Sequence, residues 1–197
     1  MKLAILFTFA ALAAAQTVTV TGTGPVRPGQ TIEIAVELTD SSNPAGVQWT
    51  AGLPANWPVA ATAGPVATAV GKTLYCTEDK RTCLVVGLNA NTLGNGEIAR
   101  YALTVPAGTA PGTYQVPLTG LLAGSAAAIA QPIQPGAVFE IRVLAGADIN
   151  GDGVVTMADV FLMIDMALSR TACTADQNGD GQCNLLDVLL VLRDATP

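Results

Sequence analysis

Two copies of one twelve-residue pattern, 28 positions apart, constrain this chain more tightly than any other feature. The first is Asp148-Ile149-Asn150-Gly151-Asp152-Gly153-Val154-Val155-Thr156-Met157-Ala158-Asp159, and the second is Asp176-Gln177-Asn178-Gly179-Asp180-Gly181-Gln182-Cys183-Asn184-Leu185-Leu186-Asp187. Oxygen-bearing side chains stand at positions 1, 3, 5, 9 and 12 of each copy, and glycine at position 6, where the backbone must turn sharply. That spacing wraps one chain around a hard divalent cation, because Ca²⁺ collects roughly six to eight oxygens. The first ligand set is Asp148, Asn150, Asp152, the backbone carbonyl of Val154, Thr156 through water, and Asp159. The second is Asp176, Asn178, Asp180, Gln182, Asn184 and Asp187. A single copy would read equally well as an Asx-rich turn. Two full matches, each leading into an apolar run, point to two Ca²⁺ sites.

The charge is partitioned in the same way. Residues 148–197 hold eight aspartates against Arg170 and Arg193, which accounts for the whole net charge of −6. Before them, acids and bases balance. An acidic chain does not hold nucleic acid through phosphate contacts. The absence of histidine excludes an imidazole base, a His-ligated zinc and a Ser-His-Asp triad.

Residues 1–15 read as a secretory signal. Lys2 is the positive region, residues 3–12 the apolar region, and Ala13-Ala14-Ala15 a small-residue cleavage site before Gln16. The apolar stretch falls short of the roughly 20 residues of a membrane span, so a secreted, extracellular protein without a membrane span is expected. Four cysteines in an exported chain suggest two disulfides, with three connectivities allowed. Sequence proximity favours Cys76 with Cys83 and Cys173 with Cys183. The first bridge would staple a hairpin and contribute about 2.5 kcal/mol in the chain-entropy model.

Between Thr17 and Leu144 the sequence alternates with period two and is punctuated by Gly and Pro, as half-buried antiparallel strands do. Ile32, Ile34, Val36 and Leu38 share one face, as do Ala99, Tyr101, Leu103 and Val105. Tyr114, Val116 and Leu118 share another after Gly112, and Phe139, Ile141 and Val143 close the segment. About nine short strands without a helical period indicate a mainly β chain, an antiparallel two-sheet sandwich. Glu33 and Glu37 lie on one strand face roughly 13 Å apart. A glycosidase pair sits at roughly 5–9.5 Å, so catalysis is not expected. A sugar platform would need exposed aromatic rings, and Trp49, Trp57 and Tyr75 are the candidates; for Trp57 the plainer expectation is a buried plug at one end of the sandwich.

The duplicated Asp-x-Asn-Gly-Asp-Gly-x-x-(Thr/Asn)-x-x-Asp, each copy followed by an apolar helix, resembles a type I dockerin over residues 148–197. Asp rather than Glu at position 12, and no helix-length segment before Asp148, make the unit a loop–helix repeat and not a complete EF-hand pair. The preceding segment resembles a cohesin-like jelly roll. The cues are Val-x-x-Gly-Gln-Thr-Ile-Glu-Ile from Val26, then Gly96-Glu97-Ile98-Ala99, then the stretch from Val105 to Tyr114. After the signal peptide at 1–15, the resemblance implies a cohesin-like β-sandwich at 16–145 and a small α dockerin-like module at 146–197. It also implies a non-catalytic assembly protein whose partner bears a cohesin or a dockerin, in trans or in cis, with polysaccharide degradation as the associated process. Dockerins select partners through loop positions 10 and 11 and later helix positions, here Met157, Ala158, Ile164, Asp165, Leu185, Leu186, Leu192 and Arg193.

The run from Leu185 to Leu192 has almost no polar face, and a module this small cannot bury such a helix all round. Part of it must meet a partner or the chain's own sandwich. Only Ala145-Gly146-Ala147 joins the two parts, a reach of about 10 Å, so docking in cis is one expectation. The alternative to an interaction module is a carbohydrate-binding surface protein whose calcium module is purely structural.

Overall fold

The computed structural model describes residues 15–195 except 107, 145 and 179, so the candidate export segment lies outside the described residues apart from Ala15. The strands are β1 (Gln16–Gly22), β2 (Thr31–Thr39), β3 (Gly46–Ala51), β4 (Val59–Ala63), β5 (Thr73–Cys76), β6 (Thr82–Val86), β7 (Gly96–Thr104), β8 (Gly112–Val116), β9 (Leu118–Gly124), β10 (Ala130–Gln131), β11 (Ile133–Pro135) and β12 (Phe139–Val143). The helices are α1 (Pro65–Ala69), α2 (Met157–Ala167) and α3 (Leu185–Asp194).

Two five-stranded sheets, ordered β11-β1-β2-β7-β4 and β10-β9-β3-β6-β5, share one core. Strands β12 and β8 form a separate ladder. The alternation seen in the sequence sets which side chains enter that core. In β2, Ile32, Ile34, Val36 and Leu38 are buried, while Glu33 faces out and pairs with Arg100 at 3.0 Å. Glu37 accepts from Thr21 at 3.0 Å. These two glutamates are therefore engaged surface carboxylates with no partner acid at catalytic spacing on their own strand.

At the centre, fully buried Trp49 donates its indole N–H to the Tyr101 hydroxyl at 2.9 Å. That hydroxyl donates in turn to Cys83 Sγ at 3.2 Å, so both polar tips are satisfied inside the core. Desolvation pushes the Tyr101 phenol up to about 12. Cys76 and Cys83, directly opposite in the β5–β6 ladder, are joined by a disulfide with Cα atoms 4.1 Å apart.

Three features depart from the simple strand count. Strands β10 and β11, of two and three residues, are too short to show an alternation. The run Tyr114–Leu118 is broken at Pro117, which has no N–H for a ladder; β8 pairs with β12, while β9 crosses to pair with β3. Helix α1 starts with Pro in its first turn, where a missing N–H costs nothing. The sandwich is antiparallel apart from the parallel β1–β11 pair and an isolated parallel bridge between Val26 and Val143.

Candidate metal loops and interaction face

Strand β12 ends at Val143 and the chain runs through buried Leu144 and Ala147 into the first loop, with no helix in front of it. The loop closes on itself through its carboxylates. Asp148 accepts from the amides of Gly151 and Gly153 at 2.8 and 2.9 Å. Asp152 accepts from Val154 N–H at 3.0 Å and from the Asn150 side-chain amide at 2.8 Å. Asp159 reaches back across the loop, accepting from Ile149 and Asn150 at 2.8 and 3.0 Å and from Thr156 at 2.9 Å. Gly153 has φ +96° and Gly181 φ +85°, the left-handed region glycine enters without a Cβ penalty.

The second loop repeats the latch. Asp187 accepts from Gln177, Asn178 and Asn184 at 2.8, 3.1 and 2.8 Å. Thr156 and Asn184 are the N-caps of α2 and α3, and with Asp159 and Asp187 they complete two reciprocal capping boxes. Position 12 of each pattern is therefore both the loop's latch and the helix's first-turn acid, favourable at the positive end of the helix dipole. Burial works to raise the Asp159 carboxyl, but the amides of Asn150, Thr156 and Ile149 outweigh it and hold it below the ordinary carboxylate range. Asp180 is held below that range by Gln182 N–H and the Asn178 side chain, against slight desolvation, with help from Asn184.

The chemistry of this donor set fits a hard cation. Asp148, Asp159 and Asp187 are completely buried, and no described Lys or Arg side chain forms an ion pair with any of them. In place of a cationic side chain these carboxylates have only the loop amides, and a divalent cation would supply the counter-charge. Among the described residues, no three Asp, Glu, Cys or His side chains form a metal cluster by themselves. The first loop instead mixes carboxylate with amide, hydroxyl and backbone oxygens and the second carboxylate with amide oxygens, and the amide bonds to Asp148 leave lone pairs on both of its oxygens. Cys173 and Cys183 are joined by a disulfide whose ring contains Asp176, Asn178, Asp180 and Gln182.

Helices α2 and α3 pack through Val160, Met163, Val188 and Val191, a core too small to cover the rest of either helix. Leu185, Leu186, Leu189 and Leu192 remain 67%, 57%, 50% and 45% exposed, and Met157, Phe161, Leu162 and Leu168 are exposed as well. Leu190, by contrast, is half-buried and lines a groove together with Arg27, Pro28 and Thr109 of the sandwich. Of the two expectations for α3, docking on its own sandwich goes no further than this shared groove, and the other leucines stay uncovered. Ala158 and Arg193 are exposed, Ile164 packs on the small core, and Asp165 pairs with Arg170 at 3.2 Å. Trp49 and Trp57 are buried, Trp57 against Tyr114 with ring centroids 5.2 Å apart, which leaves only Tyr75 of the three aromatic candidates exposed. No helix among the described residues is long and apolar enough to cross a membrane.

A residue outside the pattern also belongs to the first loop. The Arg27 guanidinium, 121 positions from Asp148, donates to the backbone carbonyls of Asp148 and Ile149. In the sequence, only the short connector and the apolar run of α3 suggest that the two parts meet, and neither points to Arg27.

Residues 146–194 match the family model of the dockerin type I domain. No curated protein matches the chain. Among solved structures, a non-cellulosomal cohesin from the archaeon Archaeoglobus fulgidus is similar, with TM-score 0.54 and 13% identity over 66% of this chain and 92% of that one. A chain from a type I cohesin–dockerin complex of Clostridium thermocellum gives TM-score 0.57 at 12% identity, over 66% of this chain and 100% of that one. A cohesin module from a Clostridium perfringens family 33 glycoside hydrolase gives TM-score 0.55 at 14% identity, over 66% and 98%. At these identities the likeness is one of fold: a cohesin-like β-sandwich followed by a dockerin type I match.

Proposed function

We propose that this chain is a secreted, non-catalytic, calcium-dependent protein-interaction module of cohesin–dockerin type. Residues 1–15 serve as the export signal, 16–145 as the cohesin-like sandwich and 146–197 as the dockerin-like module. Each loop holds one Ca²⁺: the first through Asp148, Asn150, Asp152, Val154, Thr156 and Asp159, the second through Asp176, Asn178, Asp180, Gln182, Asn184 and Asp187. The ions supply positive charge to buried carboxylates and offset four of the six net negative charges. The chain's own part is to bring those oxygens together and to start a helix from each loop.

One observation carries the reading: α3 begins at the latch of a calcium-type loop and presents Leu185, Leu186, Leu189 and Leu192 to solvent. Covering them would contribute about 1 kcal/mol each on half-burial of a leucine, which suits a partner surface better than a free one. Met157, Ala158 and Arg193 stand at its margins. The partner is a protein bearing a cohesin- or dockerin-type domain, and extracellular polysaccharide is the material on which such an assembly acts.

Calorimetric titration should find two Ca²⁺ per chain, and EGTA should melt α2 and α3 in far-ultraviolet circular dichroism. The double variant Leu185→Asp, Leu186→Asp should keep both calcium sites and lose calcium-dependent capture of a cohesin-bearing partner. Unchanged helices in EGTA would end the calcium reading, and unchanged capture by the double variant would end the assignment of this face.

A further inference from the structure

The first loop is held from outside as well as from within. Arg27 lies between β1 and β2, and its Nη2 donates to Asp148 O at 2.5 Å and Ile149 O at 2.9 Å, while Nε donates to Asp148 O at 3.2 Å. The neighbouring backbone is tied to the same place: Val26 N–H donates to Arg142 O at 3.0 Å, and Leu144 N–H to Val26 O at 2.9 Å. Leu144, Ala147 and Asp148 are 5%, 3% and 0% exposed along this path. A strand edge of the sandwich thus runs beside the chain that enters the loop, and a planar five-donor fork grips positions 1 and 2 of the pattern.

From this geometry we infer that Arg27 makes the sandwich a structural component of the first calcium site, so that cation binding in that loop stabilises the sandwich and fixes the two modules against each other. The inference rests on the calcium reading. Arg27 is a positioning residue: it takes backbone carbonyls and forms no ion pair with the Asp148 carboxylate. A guanidinium suits this role because its fork holds two carbonyls at once, and charge-assisted hydrogen bonds are the stronger kind. A ligand that binds only the joined, folded arrangement stabilises everything that arrangement requires.

The chain offers a probe confined to one module, since its two tryptophans, Trp49 and Trp57, both lie in the sandwich. Tryptophan fluorescence therefore reports sandwich unfolding, and far-ultraviolet circular dichroism reports α2 and α3. In the native chain, Ca²⁺ at a hundredfold excess over its dissociation constant should raise the tryptophan melting temperature by about 5 °C or more. Arg27→Met should lose more than half of that shift. With the second site disabled by Asp176→Asn, it should also weaken calorimetric Ca²⁺ binding about tenfold. Arg27→Lys, which keeps the charge without the fork, should fall between them and remains a test if the Met variant folds poorly. A calcium shift that survives Arg27→Met intact would overturn the inference. Helices that respond to Ca²⁺ while the native tryptophan melt does not would overturn it too, yet leave the calcium reading standing. If neither probe responds, both fall.

Discussion

The two calcium-type loops share a spacing, a latch and a capping box, yet they are kept in shape by unrelated devices. In the first, Asp148 is completely buried and Arg27 grips the backbone from the sandwich. In the second, Asp176 is only half-buried, and a disulfide encloses four of the six proposed ligands. The lesson is that a short polar loop can be preorganised either by docking onto a folded neighbour or by covalent closure. What they have in common is the aspartate at position 12, and what differs is everything outside the repeat.

Cutting the shared part should have the largest effect. Asp159→Ala and Asp187→Ala each leave three loop and cap amides without their acceptor, at about 1 kcal/mol or more apiece. Each variant should therefore lose about 3 kcal/mol of module stability, measured by circular dichroism in denaturant with calcium present. A much milder result for one of the two would show that the latch is not shared.

Opening the staple should separate the loops. The variant Cys173→Ser, Cys183→Ser removes a cross-link worth about 2–3 kcal/mol in the chain-entropy model. Calorimetry should show the second site weakened about tenfold and the first unchanged. Equal weakening of both sites would mean that the disulfide supports the module as a whole.

The glycines give a finer contrast. Gly153→Ala and Gly181→Ala both force a Cβ into positive φ, at about 1–2 kcal/mol each. A Cβ at Gly181 meets nothing, whereas one at Gly153 would sit 2.8 Å from Arg142 Nη2, the far end of a flexible side chain that can swing away. Thermal melts should therefore place the two within about 1 kcal/mol of each other. A far costlier Gly153→Ala would show that Arg142 is fixed against the first loop.

The smallest effect lies in the sandwich, away from both loops. Because burial raises the Tyr101 phenol to about 12, its contribution is complete below the ordinary tyrosine value near pH ~10 and is lost as the pH rises toward the folded value. A near-ultraviolet absorbance titration should find one phenol ionising late, together with unfolding. Normal titration of all the tyrosines would contradict the Trp49–Tyr101–Cys83 chain.

How far these features can be read from the residues depends on whether their physics is local. The two loops and the helices after them are local, since glycine, Asx and cap positions fall within twelve residues of one another. The long strands are local as well: β2, and β7 from Ala99 onward, show their buried face in every second side chain. Strands β10 and β11 have too few residues to alternate, and the switch of sheets at Pro117 looks in the sequence like one continuous run. Arg27 is out of reach in another way. Its partners are backbone carbonyls 121 and 122 positions away, and a carbonyl leaves no mark on residue type. The exposed leucines of α3 are an intermediate case, because their excess is plain in the sequence while which of them stay uncovered is not.

The central claim is that divalent cations order residues 148–194 and thereby present the helix face. Hydrogen exchange at the latch amides tests it most directly, comparing Ca²⁺ with EGTA at Ile149, Asn150 and Thr156 in the first loop and at Gln177, Asn178 and Asn184 in the second. These amides should be protected with Ca²⁺ and exchange freely in EGTA, while the amides of β2 and β7 stay protected throughout. Equal protection of the latch amides in both conditions would contradict the account.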